Sequence, residues 1–139
     1  MKALTIHQPW AWAIAAGHKR VENRKWSTSH RGELAIHAGS SRKSIESATA
    51  FCRDQGIEPP AFDDFPRGAI IAVVDLIDVV DVSTPSLLDR PYDPWAFGPR
   101  AWYLDNIRPL TEPVECSGQV GLFGVDDECE ARIRQQLSA

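Results

Sequence analysis

The stretch Ile6-His7-Gln8-Pro9-Trp10, followed by Gly17-His18-Lys19-Arg20-Val21-Glu22-Asn23-Arg24-Lys25-Trp26, decides how the chain begins and where its charge gathers. Pro9 fits the first helical position, where its missing N–H would have no intrahelical partner. Trp10 to Ala16 reads as a short apolar helix, with Trp10 and Ile14 four apart on one face. Gly17 is placed to end it, because glycine takes the left-handed cap conformation without steric cost. The chain then alternates as a strand from Val21 to Trp26. Val21 and Asn23 fall on one face, Glu22, Arg24 and Trp26 on the other.

Outward from this stretch, Ala3 to Ile6 is a short strand, and Glu33 to Ala38 is another after the polar turn Ser27–Gly32. His37 on that strand is either a structural hydrogen-bonder or a ligand contact. Gly39 to Lys43 opens a helix running to about Gln55, with Ile45, Ala48, Thr49 and Cys52 inward and Ser40 or Ser41 as cap. Its Gly-Ser start beside Arg42 and Lys43 would also suit a phosphate. Gly68 to Val82 is the strongest strand signal, long enough to need a bend at a bulge. Asp75, Asp78 and Asp81 interrupt it every third residue, out of step with a strand's period of two. An acid in so apolar a run needs a partner or a cavity, and Asp75 is the one expected to face a site. The Pro-rich connection Ser83–Pro99 carries Trp95 and Phe97, as stacking platforms for bases or as a barrel plug. Ala101–Leu104, Ile107–Leu110 and Val120–Val125 read as further strands, and Asp126–Leu137 as a charged surface helix.

At 139 residues the chain is expected to be one domain, 1–139, with a core that needs no staples. No apolar run approaches the ~20 residues of a membrane span, and with no signal-peptide-like apolar stretch in the first residues no leader is expected. Cys52, Cys116 and Cys129 are far apart in sequence with no zinc-like spacing, which fits reduced thiols in a cytoplasmic protein and no bound metal. Net charge is −4, yet residues 1–43 hold eight Lys and Arg against two acids. That asymmetry points to an anionic ligand, small or single-stranded, since coating a duplex needs many phosphate contacts.

The pattern Gly17-x-Lys19-x-x-Glu22-x-Arg24, preceded by Gln8-Pro9-Trp10, resembles the signature of the ASCH (activating-signal-cointegrator homology) domain family. Arg31–Ala38 and Gly68–Asp75 resemble its next and central strands. The resemblance implies an α+β, PUA-like small β-barrel with two or three flanking helices, a fold associated with RNA. It also implies a link to a branch that hydrolyses the amide of N4-acetylcytidine with a lysine, a threonine three residues on, and a strand glutamate. Lys19 matches the lysine, and Asp75 falls where the glutamate would. Glu22 stands in place of the threonine, and a carboxylate cannot take over its acyl-accepting role.

Walker, GxGxxG, G-x-S-x-G and HExxH motifs are all absent, which leaves the basic motif to carry any chemistry. Arg24 supplies a planar fork, Lys19 a point charge and Glu22 an acceptor for amino groups. The same three residues would also make a salt-bridge cluster holding the turn. The expected function is recognition of RNA, single-stranded nucleic acid or a modified nucleoside, without a cofactor. The expected binding set is Gln8, Trp10, Lys19, Glu22, Arg24, Trp26 and His37. The alternative is a metal-independent amidohydrolase on an N4-acylated cytidine, using Lys19, Glu22 and Asp75 around a water. A ribonuclease using His37 and Lys19 is a weaker reading.

Overall fold

The structure is a computed structural model and describes residues 1–83 and 92–139. Part of the Ser83–Pro99 connection therefore lies outside the described residues. The elements run β1 (Lys2–Ile6), α1 (Trp10–Ala15), β2 (Val21–Arg24), β3 (Gly32–Ala38), α2 (Ile45–Asp54), a 3-10 turn (Phe62–Asp64), β4 (Ala69–Asp81), β5 (Arg100–Glu115), β6 (Leu122–Gly124) and α3 (Asp127–Leu137). The six strands form a mixed half-barrel sheet in the order β2-β5-β4-β3-β1-β6. Among the described residues only β1 and β3 run parallel, with α1 and β2 in the crossover between them. The α+β architecture with flanking helices expected from the sequence is the one found.

β4 and β5 carry the curvature. Their antiparallel register shifts between Ile70 and Ala72, between Val73 and Asp75, and between Leu76 and Asp78. Bulges of this kind bend a long strand and reset which face its side chains take. They let an aspartate at every third position find an arginine. Asp75 meets Arg108 at 2.8 Å, and Asp78 and Asp81 meet Arg31 and Arg100 at 3.8 Å. β5 is one strand rather than two segments, with Asn106 in the left-handed region (φ 48°) at the irregularity.

One face of the sheet packs Leu4, Ile6, Leu34, Ile36, Val74, Leu76 and Trp102 against Ala11 and Ile14 of α1. The opposite face packs Ala3, Ala35, Ile70, Val73 and Val114 against Cys129 and Ile133 of α3. A third cluster joins Ala13, Val21, Trp95 and Ala101 to Cys52 of α2. α2 starts later than the sequence suggests: Ser44 is left-handed (φ 61°), and the Ser41 hydroxyl serves the Lys43 N–H instead of capping a helix. α3 is more deeply seated than its charge suggests, because Cys129 and Ile133 share one face and Ile133 is fully buried.

α3 is also clamped electrostatically. Arg134 donates two hydrogen bonds of 2.7 Å to Glu33 of β3, and this guanidinium is the main reason the Glu33 carboxyl is held below its ordinary value of 4.5. A lowered carboxylate contributes stability at pH above its ordinary value and loses it as pH falls through the native one. Glu33→Gln should therefore flatten the acid limb of a stability–pH profile below about pH 4.5, read by urea denaturation. In the same assay Ile133→Ala should cost about 2–4 kcal/mol, as a fully buried aliphatic truncation does, while the exposed Glu128→Ala should cost almost nothing.

Candidate functional site

The cleft begins with how α1 ends. Gly17 (φ 85°) breaks the helix, and the N–H groups of both His18 and Lys19 return to the Ala13 carbonyl. That tight return turns Lys19 inward, where it is 2% exposed. Its Nζ donates to the Val21 carbonyl and, at 2.9 Å, to Glu22 Oε1. Period-two alternation in β2 then puts Glu22 and Arg24 on one face. Arg24 Nη2 crosses to β1 and donates to the Thr5 carbonyl at 2.6 Å. Arg24 Nε lies 3.1 Å from Glu22 Oε2, close enough for an ion pair. It is not aligned for a hydrogen bond, which leaves that buried N–H without an acceptor among the described residues. Donors left over in this way are rare in folded proteins and call for an explanation.

These groups line a cavity of about 290 Å³, with Thr5, Ile6 and His7 from the β1 end and Trp10 and Phe97 as aromatic walls. Trp10 sits 5.8 Å from Lys19 Nζ, within cation–π range, and is braced edge-on by Trp95 and Phe51. Phe97 is 56% exposed at the rim. Its place is fixed by Asn23, on the other face of β2. Asn23 Oδ1 accepts the N–H groups of Phe97 and Gly98, and Nδ2 donates to the Trp95 carbonyl, all at 2.8 Å. Glu22 is thus an acceptor held between two cations. Lys19 has spent donors on Val21 and Glu22, and Arg24, with its side chain 24% exposed, is the more accessible of the two cations.

Of the residues expected at the site, the structure brings together Trp10, Lys19, Glu22 and Arg24. It does not bring in Asp75, which lies on the α3 side of β4, bonded to Arg108 and Asn106. Gln8 is buried beneath α1: its Oε1 accepts the Trp12 N–H and its Nε2 donates to the Pro66 carbonyl. Its side chain thus satisfies a first-turn N–H of α1, while Pro9 stands at the N-cap, one position earlier than expected. Trp26 packs edge-on against Trp102 and accepts its Nε1–H outside the cleft. His37 lies in the floor of a second, larger depression of about 800 Å³. Both its ring nitrogens are engaged, with Thr5 Oγ1 at 3.0 Å and the Cys116 carbonyl at 2.6 Å. Gly118 closes over them so tightly that a Cβ there would lie 2.7 Å from the ring. The larger depression is wide and mixes Arg67 with Glu115 and Asp126, while the smaller cleft is the more enclosed of the two.

The sequence did not single out Asn23, Thr5 or His7. Asn23 was placed on the correct face, but its partners lie more than 70 residues away. The charge asymmetry is also largely neutralised by folding: Arg20, Arg31 and Arg42 pair with Asp105, Asp78 and Asp63. Among the described residues no group of His, Cys, Asp and Glu is arranged to hold a metal ion, and no helix is long and apolar enough to cross a membrane.

The family model of the ASCH domain matches residues 4–114. The chain is 40% identical over 81 residues to human activating signal cointegrator 1, and 41% identical to its mouse counterpart. These matches take in 54% of this chain and 14% of either relative, so the chain corresponds to a small part of each. Among solved structures, ASCH from Zymomonas mobilis superposes with a TM-score of 0.59 over 96% of this chain and 93% of that one, at 17% identity. A mutant of the same protein gives 0.58 over 96% of both chains, also at 17% identity. At that identity the likeness is one of fold, and the fold is the ASCH, PUA-like one.

A double-mutant cycle tests the buried pair. Lys19→Met should cost about 3 kcal/mol, because the buried Glu22 carboxylate loses its hydrogen-bonded partner and keeps only the ion pair with Arg24. The double variant Lys19→Met/Glu22→Gln should recover at least about 1 kcal/mol of the summed single costs, read by chemical denaturation.

Proposed function

The chain belongs to the ASCH domain family, and we propose that its cleft between Trp10, Glu22, Arg24 and Phe97 recognises RNA one base at a time, or a nucleoside of that size. The observation that carries this reading is the Glu22 carboxylate, fixed by Lys19 and Arg24 on the wall of an enclosed space with aromatic sides. At about 290 Å³ the space lies at the lower end of the ~300–1,000 Å³ of ligand pockets, room for one planar ring system and not for a duplex. Each part has a use in that reading. Glu22 retains lone pairs for an exocyclic amino group, Trp10 and Phe97 offer ring faces, and Arg24 offers a charge for the adjoining phosphate. The association of PUA-like folds with RNA supports the same direction.

The amidohydrolase alternative would draw Lys19 and Glu22 from the cleft but not Asp75, which is engaged on the far side of the sheet. It also has no hydroxyl at position 22. A chromatographic time course with N4-acetylcytidine separates the two readings: recognition without catalysis leaves the compound intact, and conversion to cytidine would favour the enzyme.

Binding of a labelled single-stranded RNA, followed by fluorescence anisotropy, tests the proposal. Phe97→Ala should weaken binding by about 1–3 kcal/mol, roughly 5- to 150-fold, as loss of one stacking platform does. Arg24→Gln should reduce the slope of log affinity against log salt by about 0.7, one phosphate contact on a single strand. Wild-type affinity and slope in both variants would overturn the assignment of this cleft.

A further inference from the structure

Two of the three cysteines, 13 positions apart in sequence, meet at the seam between β5 and α3. Cys116 directly follows the last residue of β5 and is partly buried, and Cys129 lies in the first turn of α3 at 8% exposure. The Cys129 thiol donates to the carbonyl of Glu115, the residue bonded to Cys116, at 3.3 Å. Cys116 packs against the buried cluster that contains Cys129, and its Sγ lies 3.8 Å from the Ser117 carbonyl. Both line the depression of about 800 Å³ that opens to solvent. Cys52 is fully buried in a different cluster.

We propose that Cys116 and Cys129 are a peroxide-sensitive thiol pair that closes to an intramolecular disulfide joining the end of β5 to α3. The roles within the pair follow from the surroundings. Burial, then the Cys116 thiol, then Asp126 push the Cys129 pKa up to about 12, so Cys129 stays protonated. The partly exposed Cys116 therefore reacts first. Its thiolate sulfur attacks one oxygen of the peroxide and the O–O bond breaks. This leaves Cys116 as a sulfenic acid, and the departing hydroxide takes the thiol's proton to become water. The Cys129 sulfur then attacks the Cys116 sulfur as its own proton leaves. The S–O bond breaks, and the hydroxide released takes that proton as a second water. Two thiols and one hydrogen peroxide give one disulfide and two waters, with two electrons passing from sulfur to oxygen. The second step is the slower, because the attacking sulfur is held as a thiol.

The location connects this chemistry to the cleft by three hydrogen bonds: His37 Nε2 donates to the Cys116 carbonyl, His37 Nδ1 bonds Thr5 Oγ1, and Arg24 donates to the Thr5 carbonyl. The thiol site itself stands independently of what the cleft binds.

The test is peptide mapping of the full chain after hydrogen peroxide, with thiols alkylated under denaturing conditions and digestion without reductant. The expected product is a linked pair of peptides bearing Cys116 and Cys129. Its mass should be lighter by two hydrogens than the reduced pair and restored by reductant, with Cys52 still alkylated. In Cys129→Ser, dimedone should label Cys116 as the trapped sulfenic acid. Cys116 and Cys129 both remaining alkylatable, under peroxide that oxidises free cysteine in the same tube, would overturn the proposal. So would a Cys116 link between two chains. The wild-type digest decides alone if the variant does not fold.

Discussion

A lysine can be buried at the foot of a six-residue helix only if its charge is matched at once, and Glu22 matches it. This pairing links the end of α1 to the start of β2, and much of the cleft depends on it. It fixes the face on which Glu22 lies, and strand alternation then sets Arg24 beside it. Arg24 reaches the β1 carbonyl at Thr5, so one short motif ties together the helix, the edge strand and an inner strand. The motif is dense because it does two things: it satisfies a buried ammonium, and it leaves one carboxylate and one guanidinium on the wall of an enclosed space.

The opposite side of β2 supplies the rim. Asn23 shares the strand with Glu22 and Arg24 but points away from them, and its amide saturates three backbone groups of the segment Trp95–Gly98. Trp95 is thereby pinned in the core while Phe97, two residues on, stays exposed at the opening. Of the segment's two rings, one is therefore buried as a plug and the other stays at the opening. Burying Trp95 anchors the loop, and the anchor fixes the ring left in solvent.

Local physics made the first part of this legible in the sequence. Gly17 marks the end of a helix because of its backbone freedom, and alternation across Val21–Arg24 sorts inward from outward positions without any tertiary information. The length of Gly68–Val82 announced a bend. What could not be read was pairing at a distance. Asp75 appeared to face a site because its partners were invisible: Arg108 and Asn106 reach it only through register shifts in β4 and β5, which a period-two reading cannot locate. Gln8 resembled a surface binder because the Pro66 carbonyl that buries it is 58 residues away. The basic first third of the chain suggested a positive face, until folding set Arg20, Arg31 and Arg42 against acids from the rest. α3 hid its role for a simpler reason, since Cys129 and Ile133 are too few to dominate a charged pattern.

The central claim is that the ligand enters at Glu22 and Arg24, between Trp10 and Phe97. Its most direct test is a map of backbone amide shifts in an NMR titration with a short single-stranded RNA and, separately, with ribonucleosides. The account predicts saturable shifts gathered at Thr5, Ile6, Glu22, Arg24 and Phe97, and little movement around Asp75. Shifts confined to Gly39–Lys43 or to the depression around Gly118, with the Glu22 and Arg24 amides unmoved, would contradict it.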